Sequence, residues 1–184
     1  SKAKMAREAG LEPLALDLLN NPTLIPEEAA SAFINAEQGI EDAQKALEGA
    51  RNILIEKFAE KAELLEELRE YLWENAIFKC QVAEGKEDKG AKFEDYFDYQ
   101  EQLKKLPSHR ALAMFRGRKS GILRLNLPVF SADNDNKEDV GPIYCESKIA
   151  AHFNIEDQGR PADSWLLETV RSAWRFRIRS HLDA

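Results

Sequence analysis

The sequence has little cysteine: Cys80 and Cys145 are the two thiols among 184 residues, and they stand far apart without a CxxC pair. Domains held together by disulfides carry several cysteines, and structural zinc sites use closely spaced ones. The scarcity of cysteine therefore excludes a disulfide scaffold and predicts a reduced, intracellular protein.

Long hydrophobic runs are also missing. No apolar stretch approaches the roughly 18 residues that a membrane-spanning helix requires, and no apolar signal segment follows the basic start of the chain. We therefore expect a cytoplasmic protein without a membrane partner. The chain also lacks an initiating methionine and keeps a helical apolar period to its last residues, so we expect it to be part of a longer protein.

Signatures of catalysis are scarce as well. Histidine occurs three times, as His109, His152 and His181, and none lies in a motif that pairs it with a serine or cysteine nucleophile. The sequence contains no GxGxxG, GxxxxGK[ST] or HExxH motif. We therefore predict that the chain is not an enzyme, has no catalytic residue and needs no cofactor.

One acidic loop, Asp133 to Asn136, begins like a calcium-binding loop. Its sixth position is Glu138 where such loops have glycine, and its twelfth is Tyr144 where they have glutamate. We therefore interpret this segment as a solvated loop and predict no metal site.

Helical periodicity dominates the first 75 residues. Residues 2–9 form the first predicted helix, which ends at Gly10, and residues 13–19 form the second. Pro26 suits the first turn of a third, short helix. A long amphipathic stretch follows, with apolar residues recurring at steps of three and four. These are Ile40, Ala43, Leu47, Ala50, Leu54 and Phe58, and then Leu65, Leu68 and Leu72.

The period changes from 3.6 to 2 in the middle of the chain. Residues 77–82 alternate, with Phe78, Cys80 and Val82 on one side, and residues 122–127 alternate in the same way. The second face would then carry the like charges of Lys79 and Arg124. Because two strands alone are marginal, we expect a third strand whose position the pattern does not give.

Aromatic residues between the two predicted strands allow two interpretations. Phe93, Tyr96 and Phe97 follow a helical spacing, and Tyr99 lies just beyond them. Aromatic side chains can stack on exposed bases, but the neighbouring aspartates and glutamate would repel phosphate. We therefore favour a role in the core.

The stretch from Lys104 to Arg124 is strongly basic and contains no acidic residue. Uncompensated positive charge attracts polyanions, so this segment is the candidate nucleic-acid interface. The alternative is that the cations near the end of the predicted helix from Ser108 complement its dipole. The candidate residues are Lys104, Lys105, His109, Arg110, Arg116, Arg118, Lys119 and Arg124.

A long helix is predicted at the end of the chain, with Asp163 or Ser164 as its N-cap. Its apolar stripe consists of Leu167, Val170, Trp174, Ile178 and Leu182. An arginine ladder spaced four residues apart lies beside it, flanked by two aromatic residues that we expect to be exposed. These residues either dock another domain or partner or pack within the domain, and we favour docking. The candidates are Trp165, Arg171, Arg175, Phe176 and Arg179.

Charge is distributed unevenly along the chain. Residues 1–103 hold 12 basic and 23 acidic residues, whereas residues 104–184 hold 14 basic and 10 acidic ones, within a net charge of −7. Such asymmetry indicates either that the basic half binds a polyanion or that the two halves pack on each other.

Three stretches together resemble one protein family. They are AREAGLEPLA at 6–15, the GKE, GAKF and DYF segments within 85–97, and PSHRALA with FRGR at 107–118. These are similar to the N-terminal region of the bacterial Tex family of transcription accessory proteins, which is related to a eukaryotic elongation factor and histone chaperone.

The resemblance implies a multi-domain scaffold in the cytoplasm. In such proteins a helical N-terminal region with a helix-turn-helix unit precedes a ribonuclease-H-like domain, helix-hairpin-helix modules and an oligonucleotide-binding barrel. It implies that RNA or DNA is bound mainly by those other domains. The first two predicted helices, which meet at Gly10, resemble a helix-turn-helix only loosely.

These observations predict a mainly α (α+β) fold, a multi-helix domain with a small antiparallel β-sheet. We expect helices over 1–75, a small sheet with short helices over 76–160, and a terminal helix over 161–184 that leads to a downstream domain. The predicted function is a non-catalytic scaffold segment of a nucleic-acid-binding transcription accessory protein, with auxiliary phosphate contacts. The alternative is a protein-interaction module that docks on the transcription machinery.

Overall fold

A computed structural model of the chain describes residues 1–131 and 138–182. The acidic loop at 133–136 lies outside the described residues. The chain forms two compact units, one made of Ser1–Glu66 and Tyr144–Ala184 and the other of Glu67–Ile143. The predicted mainly helical fold with a small antiparallel sheet is confirmed.

The first unit is helical. Gly10, with a positive φ of 85°, follows the first helix, and Pro26 opens the third, both as predicted. A 3₁₀ turn, Ala36–Gln38, precedes the fourth helix. The helices are α1 (Lys2–Glu8), α2 (Glu12–Asn20), α3 (Pro26–Ser31), α4 (Ala43–Ala59), α5 (Ala62–Asn75, which begins here), α7 (Gly141–His152, of which all but the first three residues lie here), α8 (Asp163–Ala173) and α9 (Arg179–Leu182).

Helix α4 is the centre of this unit, because α1, α2, α3 and α8 all pack against it. Its predicted stripe is confirmed: Leu47, Ala50, Leu54 and Phe58 are buried. Because Gly49 has no side chain, Leu11 can pack closely against α4. A Cβ at position 49 would lie 2.3 Å from the Cδ1 atom of Leu11. The apolar period of α4 therefore organises the helices around it.

The terminal helix differs from its predicted pattern in two respects. A π-helical turn, Trp174–Ile178, joins α8 to α9. Trp174 and Ile178 are nevertheless buried as Val170 is, so this part of the predicted stripe is confirmed. In α8 the fully buried leucine is Leu166, whereas the predicted Leu167 is only half-buried.

The predicted N-cap of this helix is wrong. Ala162 occupies the cap position, and no side chain caps the helix. Asp163 lies in the first turn with 1% of its surface exposed, and its carboxylate accepts hydrogen bonds from the backbone N–H groups of Gln158 at 2.8 Å and Arg160 at 2.9 Å. The Arg160 guanidinium also pairs with it at 3.1 Å. Asp163 therefore fixes the loop before the helix and not the helix end itself.

These contacts predict a pH-dependent stability. Burial would raise the pKa of Asp163, but the hydrogen bonds from Arg160 and Gln158 and the charge of Arg160 hold it below its ordinary value. A lowered folded-state pKa stabilises the protein above the unfolded-state pKa, and this stability is lost as the pH falls through the folded-state pKa. Asp163→Asn should therefore lower the denaturation midpoint at pH 7, and the difference from wild type should shrink from about pH 5 downwards. Urea titrations at several pH values measure this, and a difference independent of pH would contradict it.

The second unit contains a three-stranded antiparallel sheet. The two predicted strands are confirmed as β1 (Ile77–Val82) and β3 (Leu123–Asn126). The third strand, which the sequence pattern did not place, is β2 (Asp98–Gln102), and the strand order is β2-β1-β3. Helix α6 (Ser108–Lys119) and the 3₁₀ turns Ala91–Tyr96 and Leu103–Lys105 complete the unit, together with the second part of α5.

One face of the sheet packs on α6. Phe78 and Cys80 of β1 and Leu123 of β3 form a buried cluster with Met114 of α6. Gly117 allows this contact, because a Cβ at that position would lie 2.3 Å from the Cδ1 and 2.6 Å from the Cγ atom of Leu123. Phe93 is buried in the same cluster and Tyr96, Phe97 and Tyr99 pack against it, so the predicted core role of these aromatic residues is confirmed.

The close approach at Gly117 can be tested by adding one methyl group. Gly117→Ala should destabilise the protein by about 1–2 kcal/mol, because overpacking against Leu123 outweighs the better helix propensity of alanine. In a Leu123→Ala background the clashing atoms are gone, and the same substitution should cost much less. Equal costs in the two backgrounds, measured by urea denaturation, would show that this contact does not limit the packing of α6.

Candidate nucleic-acid interface

Helix α6 positions the densest part of the basic segment. Pro107 precedes it with an extended backbone that cannot continue a helix upstream, and Gly121, with a φ of 77°, follows its end. Met114 and Gly117 face the sheet and are buried. By helical spacing His109, Leu112 and Arg116 then share the outer face with Lys119, and all four are exposed.

Two of the eight predicted residues, both cations, are already paired within the second unit. The Lys104 Nζ atom lies 3.1 Å from a carboxylate oxygen of Glu74. Arg110 donates a hydrogen bond of 2.9 Å to the Tyr99 hydroxyl and lies 3.8 Å from Glu101. The hydrogen bond to Tyr99 raises the pKa of Arg110 above its ordinary value. The positive charge of these two side chains is therefore partly neutralised by glutamate and is less available to bind a phosphate.

The remaining cations of α6 are open. Within residues 1–131 and 138–182, no carboxylate lies at ion-pair distance from Arg116, Arg118 or Lys119. The Arg118 guanidinium lies 5.1 Å from the ring centroid of Phe115, so its contact is to an aromatic face. The outer face of α6 therefore carries unneutralised positive charge.

The other predicted cations do not lie on this face. Side chains alternate along a strand, so Arg124 points away from the sheet face that Leu123 shares with α6. Lys79 shares that second face, but its direct partner is Asn126 and that of Arg124 is Gln81, so the predicted like-charge contact is diagonal. Lys105 lies in the turn after β2. The eight predicted residues therefore do not form one continuous surface.

A small polar cluster beside α6 was not predicted. The Tyr99 hydroxyl donates a hydrogen bond to Glu101 and accepts one from Arg110, and its ring meets that of Tyr96 edge to face at 5.6 Å. Burial, followed by the hydrogen bond to Glu101, raises the pKa of Tyr99. The signal was the two-residue spacing of Tyr99 and Glu101, which places both on one face once β2 is known to be a strand.

The predicted docking residues of the terminal helix are divided as well. Trp165 was expected to be exposed, and this is wrong: it is half-buried, with the Arg51 guanidinium 5.2 Å from its ring centroid. Phe176 is 72% exposed as expected, with the Arg175 guanidinium 5.3 Å from its ring centroid. Arg171, Arg175 and Arg179 are all exposed.

Arg171 differs from the other two rungs of the ladder. Burial raises the pKa of Glu146 on α7, and the nearby positive charge of Arg171 partly opposes that increase. Arg175 and Arg179 have no carboxylate at ion-pair distance in the described ranges 1–131 and 138–182. The surface that remains available for docking therefore consists of Arg175, Arg179 and the neighbouring Phe176.

Comparison with known proteins decides the family. A family model described as "Tex central region-like" matches residues 21–184. The chain belongs to the Tex family. Its relatives include Protein YhgF of Escherichia coli K12, 47% identical over the whole of this chain, and Protein tex of Bordetella pertussis, 41% identical over 97% of it. The Transcriptional accessory protein Tex of Neisseria gonorrhoeae is 44% identical over 97%. The chain spans 22–23% of the length of these relatives.

The Tex match agrees with the resemblance found in the sequence. The family model is described as a central region, whereas the sequence analysis placed the stretches in the N-terminal region, and the match leaves out residues 1–20. Those residues hold α1 and α2, which join at Gly10. The loose resemblance of this helix pair to a helix-turn-helix stays a prediction.

Metal-ligand side chains are not clustered in the part of the Tex segment that the structure describes. Over 1–131 and 138–182 there is no group of three or more His, Cys, Asp or Glu side chains that could hold a metal ion. Burial raises the pKa of Cys80 to about 11, so this thiol is protonated at neutral pH. No helix within these ranges is both long and apolar enough to cross a bilayer.

Proposed function

We propose that this segment is a non-catalytic scaffold part of a Tex transcription accessory protein and that the outer face of α6 adds contacts to nucleic-acid phosphate. The observation that carries the proposal is the exposed pair Arg116 and Lys119, which no carboxylate neutralises in the described ranges. The name of the Neisseria gonorrhoeae relative, a transcriptional accessory protein, supports the proposed role in transcription.

Stabilisation of the helix end does not prevent these cations from binding an anion. Cations in the last turn stabilise a helix by about 0.3–1 kcal/mol, and Arg116, Arg118 and Lys119 all lie in the last turn of α6. That interaction leaves each guanidinium or ammonium group exposed and able to bind an anion. Leu112, 57% exposed between His109 and Arg116, also gives this face an apolar contact for a sugar or base.

The proposed contacts are auxiliary because the chain as a whole has no net attraction for polyanions. Its net charge is −7, and at physiological salt charges farther than about 8 Å are screened. Binding then depends on the few cations that touch phosphate directly. We therefore expect weak affinity from this segment, with most of the affinity of a whole Tex protein residing in other parts.

Charge reversal on α6 tests the proposal. Fluorescence anisotropy with labelled single-stranded RNA, single-stranded DNA and duplex DNA should show binding at low salt that weakens steeply as salt rises. Arg116→Glu combined with Lys119→Glu should abolish this binding. Arg116→Ala combined with Lys119→Ala should reduce the slope of log K against log salt by about 0.7 per lost contact for single strands.

The matched control reverses two cations of the terminal helix. Arg175→Glu combined with Arg179→Glu changes the net charge equally, so long-range repulsion is the same in both double variants. If this control abolishes binding while the α6 variant retains it, the phosphate contacts lie on the terminal helix. Absence of binding at low salt for the wild-type chain would contradict phosphate contact altogether.

A second candidate function is docking through the terminal helix, favoured by the exposed ring of Phe176 beside Arg175. Exposed aromatic and arginine side chains are typical anchors of protein interfaces. In this case the amide hydrogens of residues 171–182 should exchange more slowly in a full-length Tex protein than in the isolated chain. Phe176→Ser should remove that difference, while its effect on the stability of the isolated chain stays within about 0.5 kcal/mol.

A further inference from the structure

The outer edge of β2 is open. In an antiparallel ladder, alternate residues direct their N–H and C=O groups toward the neighbouring strand. Hydrogen bonds from Val82 to the carbonyl of Phe97 and from Leu103 to the carbonyl of Ala76, each 3.0 Å, bracket the β1–β2 ladder. Tyr99 and Glu101 therefore bond to β1. Asp98 and Gln100 direct their backbone groups to the other side, where no strand of the described residues neighbours β2.

This edge is also accessible. Asp98, Gln100 and Gln102 are all exposed, and they alternate with the half-buried Tyr99 and Glu101. Proteins protect free edges with proline, lysine or a bulge, because an open edge is a template for another strand. The other edge strand of this sheet has Arg124 within it and Pro128 just after it, whereas β2 contains no proline, lysine or arginine.

Negative charge without an ion-pair partner lies at the start of the β2 edge. Glu101 is engaged by Tyr99 and Arg110. Asp95 and Asp98 have no basic side chain at ion-pair distance within residues 1–131 and 138–182. In an antiparallel pair of two copies centred at Gln100, Asp98 would lie opposite Gln102 of the copy, so a second β2 offers it no positive charge. A strand that carries lysine or arginine opposite Asp98 would instead be attracted.

We propose that the outer edge of β2 accepts an extended basic segment of a partner protein as a fourth, antiparallel strand. Main-chain hydrogen bonds to Asp98 and Gln100 supply the affinity, and the carboxylate of Asp98 selects for positive charge. In an antiparallel strand the basic residue lies in its C-terminal half, since that half is opposite the start of β2. This interface does not involve the outer face of α6 and goes beyond the proposed phosphate contacts.

The hydrogen-bond pattern of β2 allows a matched pair of variants. Gln100→Pro removes the outward N–H of Gln100, in the middle of the edge, and leaves the β1–β2 bonds intact, because proline is tolerated where an edge N–H faces solvent. Gln100→Ala removes the same side chain and keeps the N–H. The probe is an eight-residue peptide that alternates lysine with threonine, and its binding is measured by calorimetry on the whole chain, with circular dichroism to confirm the fold.

Binding to the wild type and to Gln100→Ala should agree within about threefold, and Gln100→Pro should weaken it at least about tenfold. Asp98→Lys should also weaken it, and peptide binding should slow hydrogen exchange at the amide of Gln100.

Equal binding by Gln100→Pro and Gln100→Ala, or no binding at millimolar peptide, would overturn the proposal. A dimer of the wild-type chain that Gln100→Pro abolishes would overturn it in favour of a second copy. The double charge reversal on α6 should leave peptide binding unchanged, which separates this interface from phosphate contact.

Discussion

The packing of Gly117 against Leu123 is the contact on which the second unit depends. It brings the backbone of α6 onto one face of the sheet, at a distance that any larger residue would prevent. Met114 is buried by the same approach. Once this side of α6 is fixed, helical geometry directs Arg116 and Lys119 outward, and strand geometry directs Arg124 to the opposite face. The division of the basic segment therefore follows from one close approach.

Local pairing decides which of these charges remain available. Lys104 and Arg110 come from the same basic run as Arg116, yet Glu74 and the Tyr99–Glu101 pair engage them. Exposed ion pairs contribute little to stability, about 0–1 kcal/mol, so their main effect here is on the surface potential. They reduce an apparently continuous basic stretch to a short cationic patch near the end of α6. A count of charges along the sequence cannot show this.

Apolar periodicity predicted the parts of the fold that bury the most surface. The stripe of α4 and the alternation of β1 and β3 were found because burial imposes the period of each element on its sequence. Strand β2 was missed because an edge strand needs little burial: in DYQEQ only Tyr99 packs on the core. Trp165 was placed on the surface because its cover, Arg51, lies 114 residues away in the sequence. The role of Asp163 was misjudged for a related reason, since its partners are loop amides that carry no residue-type signal.

The three candidate surfaces depend on different forces, so salt distinguishes them. The phosphate contacts proposed for α6 would arise from charge and release counterions, so they should weaken steeply as salt rises. A strand added to β2 is held mainly by hydrogen bonds between peptide groups, which salt screens little, and only the contribution of Asp98 should decline. Burial of Phe176 in an interface is a hydrophobic interaction, which excluded salts such as sulfate strengthen. An interaction of this segment that persists or tightens in high salt therefore cannot arise from Arg116 and Lys119, whatever its partner.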